Sequence, residues 1–385
     1  MVLDKDQELV LSGNNGTVLG SAMRTLVEYG KVFGAKRLVP IKSAHIAGTF
    51  GIIRFNSFYA ILRQMLDEGL RVRVPTTVNP RPGREFSIQN RVAFFHQRKL
   101  ERMLEQLGVI ENYSCVCYEE RNMPARGDIV AWSESSAVQY ANSVLGARTN
   151  RNSLLIDVCS AVTGYTPEFG YLLDENRRGR LLVRLKIKKM DASALGYLLG
   201  MLAVDRVPVV EHYPFSRVEL KNMGGAMAAS GAVALFHVEG VTPEAPDCAS
   251  VFDGKPEKEI TISQEMIDEF RYRGPVDMVI FGCPQMTFDE IMALAPRFVG
   301  RTVTKPTIFF MVPDAYNRFR GTDLCRKVMQ AGVRLETCCP VSALTSHQGM
   351  YKKKKIMTAS GKTYYYLDGS LYGTVDDCCA ACGVM

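Results

Sequence analysis

No stretch of this chain approaches the roughly 20 consecutive apolar residues that a membrane-spanning helix needs. The longest apolar run, Gly225–Val238, is broken by Ser230 and His237 and reads as buried core. The amino terminus, Met1-Val-Leu-Asp-Lys-Asp-Gln-Glu, has no charged leader followed by an apolar segment. No secretion signal is read, and the cytoplasm is the expected compartment. Tryptophan is nearly absent, with Trp132 alone, and histidines number 5. Both G-x-G-x-x-G and the P-loop lysine pattern are missing, so the glycine-rich run from Met223 reads as close backbone packing, not a phosphate cradle. Cys379 and Cys382 form a Cys-x-x-Cys with no second one to pair with, which argues against a zinc ribbon.

Charge of one sign is also scarce. A formal net charge of +7 over 385 residues is mild and scattered. The one basic run, Lys352–Lys355, follows Tyr351 and precedes Tyr364–Tyr366; a solvated face is the favoured reading over a nucleic-acid contact. Hydrophobic residues make up 47% and charged residues 23%, ordinary for a globular chain of two or three subdomains.

What is plentiful is cysteine, at eleven residues. In a reducing compartment these stay thiols, which directs attention to metal binding or catalysis. Short apolar runs alternate with amphipathic stretches, so the fold class is α/β. Helices are expected over Ser21–Tyr29 and Ser57–Glu68, and strands over Arg37–Ile41, Val72–Val78 and Leu154–Val158. From Lys258 to Glu336 a β-α-β-α-β succession is expected, with strands Asp277–Gly282, Thr307–Val312 and Val333–Thr337 and a helix capped by Thr287 and Glu290. An internal boundary is expected near 243–256, where Pro, Glu and Asp gather.

Sites in open α/β sheets form outside the carboxyl ends of the strands. Cys283 and Cys338 both follow expected strands, and Cys115 lies in an irregular loop. Three thiolates from three loops hold an iron–sulfur cluster and leave one iron open, but spacing alone does not separate these from buried apolar thiols. Cys159 and Cys325 read as buried, and Cys378, Cys379 and Cys382 as flexible terminal thiols. The stretch from Ala131 to Arg151 surrounds Trp132 with polar side chains: Ser135, Ser136, Asn142, Ser143, Thr149 and Asn150 are candidates to hydrogen-bond a small molecule, and Arg148 or Arg151 to fork onto its carboxylate. A helix with a polar face explains the same composition. Lys42, with Ser43 and His45, follows an expected strand and is a candidate acid/base residue; a surface lysine is the commoner case. Glu168 with Asp174 and Glu175 reads as a turn, and His237 as a core histidine.

Several phrases resemble one family closely: Ile41-Lys-Ser-Ala-His-Ile-Ala-Gly, Trp132-Ser-Glu-Ser-Ser-Ala, Asn142-Ser-Val-Leu-Gly-Ala-Arg-Thr-Asn, Leu173-Asp-Glu-Asn-Arg-Arg-Gly, the run from Ala229 to Ala245, and Phe281-Gly-Cys-Pro. The chain is similar, over nearly its whole length, to the catalytic large subunits of the aconitase X family. The resemblance implies an aconitase-like α/β fold, several subdomains with mixed or parallel sheets around a central iron site. It places the family's three metal-binding cysteines on Cys115, Cys283 and Cys338. Cys117 stands where the family usually has proline, and Cys339 directly follows Cys338, so either is an alternative ligand. The implied cofactor is an iron–sulfur cluster (4Fe-4S or 2Fe-2S) or mononuclear iron.

The family's activities are dehydrations, of cis-3-hydroxy-L-proline or of phosphomevalonate, and its large subunits work with a small swivelling subunit that supplies a serine base. The expectation is a hydro-lyase large subunit comprising one catalytic domain over 1–385, with that swivelling domain on a separate partner. Its substrate is a small hydroxy acid, cis-3-hydroxy-L-proline first and phosphomevalonate second, with neither nucleic acid nor membrane as partner. Glu134, Ser135 and Ser136 fall in the family's Glu-Ser-Ser phrase and join Lys42 and Ser43 as catalytic candidates; Asn142, Ser143, Arg148, Thr149, Asn150, Arg151 and His45 are substrate-binding candidates. An iron–sulfur redox sensor without turnover is the alternative of another class.

Overall fold

The computed structural model describes residues 1–48, 56–83, 88–119, 121–345 and 354–384. Among the described residues the strands form three parallel sheets and one antiparallel ribbon. The first sheet has three strands, with Ser43–Ile46 between Thr76–Val78 and Val130–Trp132. The second has four, in the order His237–Val238, Pro208–Val210, Leu181–Lys186 and Lys258–Ser263. The third has five, in the order Val333–Glu336, Thr307–Met311, Met278–Met286, Ile356–Thr358 and Ser370–Tyr372. The fold is therefore α/β, built from parallel sheets covered by helices. No helix among the described residues is long and apolar enough to cross a membrane.

Helices build the apolar cores by burying one stripe each against the sheets, and the largest core joins the first and third sheets. In the helix Thr17–Val32 the buried residues Leu19, Met23, Leu26 and Val27 recur at three- and four-residue steps. They pack with Leu62, Met65, Leu100 and Leu104 over the first sheet. The helix expected from Ser57 runs over Asn56–Asp67. In the second core the helices Ala192–Ala203 and Arg217–Gly231 press together along the glycine-rich run. A Cβ on Gly231 would come within 1.9 Å of the Gly200 carbonyl oxygen, so backbone contact explains that run, as expected.

The β-α-β-α-β succession is present, with the capping box of Thr287 and Glu290 opening the helix Phe288–Leu294. Three local expectations are corrected. Leu154–Val158 is not a strand but the start of the helix Leu154–Thr163, whose apolar residues face two layers at once. The strand expected over Arg37–Ile41 is the short Leu38–Pro40, paired antiparallel with Tyr165–Pro167. Cys378, Cys379 and Cys382 are not flexible but buried in the largest core, on and just after the helix Val375–Ala381. The segment 243–256, where an internal boundary is expected, connects His237–Val238 to Lys258–Ser263 within one sheet.

The strand Met278–Met286 does not stop at Gly282. Its register with Thr307–Met311 shifts between Phe281 and Met286, an irregularity that carries Cys283 and Gln285 inward. Gly282 makes this possible: its φ is +95°, and a Cβ there would sit 2.2 Å from the Phe310 carbonyl oxygen.

Candidate functional site

Three thiols from three segments meet where the first and third sheets face each other. Cys115 lies in the loop beside the strand Thr76–Val78, tied to it by the Ser114 amide donating to the Val78 carbonyl. Cys283 rides the bulged strand, and Cys339 opens the helix Pro340–Thr345, its amide donating to the Arg81 carbonyl. Gln285, fully buried, ties these segments together. Its Oε1 accepts from the Cys115 amide at 3.3 Å, and its own amide N–H faces the Cys115 sulfur at 3.4 Å. Its Nε2 donates to the carbonyls of Thr337 at 2.8 Å and Met311 at 3.2 Å.

Behind the thiols lies a buried ion pair. Glu134 caps the helix Ser135–Tyr140, with Oε2 accepting from the Ala137 amide at 2.7 Å and the Ser136 hydroxyl at 2.7 Å. Lys362, at the start of the helix Gly361–Tyr366, donates to Glu134 Oε1 at 2.5 Å and to Ser136 Oγ at 3.1 Å. Burial alone would push the Glu134 carboxyl up, but the Lys362 ammonium and the hydrogen bonds bring it down to about 2. Burial pushes the Cys115 thiol up to about 12 and Cys283 and Cys339 up to about 11, while the Lys362 ammonium pulls all three the other way. The four groups are thus electrostatic neighbours.

Cys338 is not among them. Its charged neighbours are Glu336 and Arg334, and its side chain packs with Ile308, Phe310 and Leu344 on the far side of the sheet. Successive residues leaving a strand point to opposite faces, so only one of the pair Cys338 and Cys339 can face Cys115 and Cys283. Cys339 does. Cys117 lies near Glu134 and Cys115 and packs in the same apolar core as Cys115. As they stand, no three His, Cys, Asp or Glu side chains among the described residues close into a metal-ligand group. The donor chemistry of Cys115, Cys283 and Cys339, two buried sulfurs and one half-buried with one cation beside them, fits a thiolate-held iron centre.

The remaining sequence candidates divide sharply. Glu134, Ser135 and Ser136 belong to the cluster, all buried. Ser43 accepts from Trp132 Nε1 at 3.2 Å and His45 is buried beside that indole, with its ring nitrogens 2.8 Å from Thr77 Oγ1 and Asn79 Oδ1. Lys42 is exposed at the amino end of Ser43–Ile46, because the chain breaks between two strands there; the structure does not bring it to the thiols. Asn142, Ser143, Thr149 and Asn150 hydrogen-bond protein instead. Asn142 bonds Thr149 and the Ala234 carbonyl, Ser143 accepts from the Phe236 amide, Thr149 bonds Trp132, and Asn150 bonds Phe169 and Tyr171. Arg148 pairs with Asp174 and the Leu172 carbonyl, and Arg151, exposed, reaches the Ala228 carbonyl. The polar density around Trp132 is loop fastening. Of the basic run, Lys352 and Lys353 lie outside the described residues, and Lys355 sits over the Tyr272 ring.

Lys362 and Gln285 were missed in sequence. The signal for Lys362 was the same one that selected Cys283: it follows a parallel strand, Ile356–Thr358, through the turn Ser360-Gly361. Nothing local marks Gln285.

Family models for the aconitase X first, second and third domains match residues 1–175, 179–272 and 276–383. The phosphomevalonate dehydratase large subunit of Methanosarcina mazei is 35% identical over 98% of this chain and 96% of its own length. The cis-3-hydroxy-L-proline dehydratase of Pseudomonas aeruginosa is 34% identical over 78% of this chain and 54% of its own length. Among solved structures, holo-form aconitase X of Thermococcus kodakaraensis superposes with a TM-score of 0.85 at 33% identity, covering 95% of each chain. This chain belongs to the aconitase X family, a family of dehydratases.

Proposed function

We propose that this chain is the large, catalytic subunit of a hydro-lyase that removes water from a small hydroxy acid at an iron centre held by Cys115, Cys283 and Cys339. The observation that carries the reading is the approach of these three thiols, Cys115 and Cys283 buried and Cys339 half-buried, to the Glu134–Lys362 pair. Bound iron supplies a Lewis acid that makes the substrate hydroxyl a better leaving group. The chain's own groups do the rest of the work around it. Lys362, gripped by Glu134 and Ser136, keeps its proton and balances the negative charge of three thiolates. That takes over the role expected of Lys42, but as a positioning and charge-balancing group, since an ammonium held against a carboxylate is a poor base. Gln285 keeps the Cys115 and Cys339 segments in register. The base that takes the carbon-bound proton is assigned to a small-subunit partner, which the names of the large-subunit relatives imply.

Cis-3-hydroxy-L-proline and phosphomevalonate are the substrates to try, because relatives named for each match at 34% and 35% identity. The test is a dehydratase assay on anaerobically prepared chain with iron and its small subunit, both substrates run in parallel. Turnover of one assigns the substrate. No turnover of either, with iron shown to be bound, rejects the hydro-lyase reading of these two acids and leaves the redox sensor in its place.

A further inference from the structure

Three of the resemblance phrases meet at a place the catalytic cluster does not use. Arg148 belongs to the first, Arg177 and Arg178 to the second, and His237 and Glu244 to the third. Together with Arg126 they line a cavity of about 300 Å³. The backbone of Arg148 bridges to Ile129, at the amino end of Val130–Trp132, whereas Glu134 follows the carboxyl end of that strand. Cavity and thiols therefore lie at opposite ends of one strand.

The cavity's four arginines differ in how firmly they are held. Arg177 is buried and fully engaged with Glu244, Asn142 and the carbonyls of Tyr171 and Ala147, so it is part of the wall. Arg148 and Arg178 are different: their carboxylate partners, Asp174 and Asp253, are 77% and 80% exposed, and such pairs hold weakly. Arg126, exposed, has no partner among the described residues. A phosphate-type oxyanion that met all three guanidiniums would displace those carboxylates at little cost.

His237 gives the site its selectivity. It is buried, and its Nε2 lies 2.8 Å from the Arg177 carbonyl oxygen. A carbonyl only accepts, so Nε2 carries the proton and Nδ1 is a bare acceptor. Burial holds the ring neutral by lowering its pKa. Among the described residues Nδ1 has no hydrogen-bond partner. The cavity thus offers cationic donors together with one buried acceptor that wants a proton.

We propose that this cavity is a second, non-catalytic site for a phosphate-type oxyanion, inorganic phosphate or the phosphate of a small monoester, with the guanidiniums of Arg126, Arg148 and Arg178 on its anionic oxygens and His237 Nδ1 accepting from its P–OH. The site is independent of which hydroxy acid the catalytic cluster takes.

The experiment is calorimetric titration of the full chain with inorganic phosphate, glycerol phosphate and sulfate at constant ionic strength, near pH 6, where a monoester still carries its second proton part of the time. Either phosphate compound should bind, and whichever binds tighter names the source. Sulfate, which has no proton to give, should bind at least about tenfold more weakly. Arg126→Ala and Arg178→Ala change exposed side chains, so the folded chain should survive while phosphate binding weakens about tenfold. Cys283→Ser should leave it unchanged. The proposal is overturned if neither phosphate compound binds, if sulfate binds equally well, if both arginine variants bind like the parent, or if Cys283→Ser abolishes binding.

Discussion

Lys362 Nζ and Glu134 Oε1 lie 2.5 Å apart across 228 residues of sequence, with both side chains buried. Glu134 follows a strand of the first sheet and Lys362 a strand of the third, so this pair joins the two faces of the candidate site. Its consequences are measurable.

Removing one partner strands the other charge in the interior, which costs about 3–5 kcal/mol, whereas replacing both by apolar groups is often close to neutral. Lys362→Met should therefore destabilise the chain strongly in urea denaturation, and Lys362→Met with Glu134→Leu should recover most of the loss. Neither protein should turn over substrate. A single variant within about 1 kcal/mol of the parent would show that the pair is not desolvated as described.

The facing of Cys339 separates two adjacent thiols. Cys339→Ser should lower iron per chain and abolish dehydration, while Cys338→Ser, a change in an apolar pocket, should keep iron and cost only stability. Metal analysis of anaerobic preparations decides between them. The opposite pattern would return the ligand to Cys338.

Gln285 holds the Cys115 amide and the carbonyls of Met311 and Thr337. Gln285→Leu keeps the volume and leaves those groups unpaired, at about 1–3 kcal/mol for each buried group. The expected result is a lower urea midpoint together with reduced iron content. Lower stability with full iron loading would refute its part in setting Cys115.

His45 carries a pH signature. Burial chiefly, partly offset by Asn79 and Glu134, lowers its pKa from 6.5 to about 4. Between those values the unfolded chain takes up a proton that the folded chain refuses. Its stabilising contribution is thus present above pH 6.5 and lost as pH falls towards 4, amounting to about 3 kcal/mol. In His45→Gln the denaturation free energy should vary less with pH over that window. An unchanged profile would mean that the imidazole is protonated in the fold.

Much of the fold was legible in the chain. The strands Thr307–Met311 and Val333–Glu336, and the capping box of Thr287 and Glu290, follow from apolar runs and local hydrogen-bond chemistry. Leu154–Val158 misled because a short apolar run fits a buried helix as well as a strand, and Ser153 marks only where the helix begins. The polar groups around Asn142 and Thr149 are paired within the protein, which composition does not reveal, since it counts donors and acceptors without their partners.

By itself the sequence determined the α/β class, the family, and two of the three thiols that meet, Cys115 and Cys283, because these depend on local pattern and on phrases read along one chain. Only the tertiary structure sets Cys339 beside them, pairs Lys362 with Glu134 behind them, and leaves Lys42 exposed at the amino end of its strand. Side-chain facing changes with a single residue at a strand end, and a buried charge finds its partner across sheets rather than along the chain.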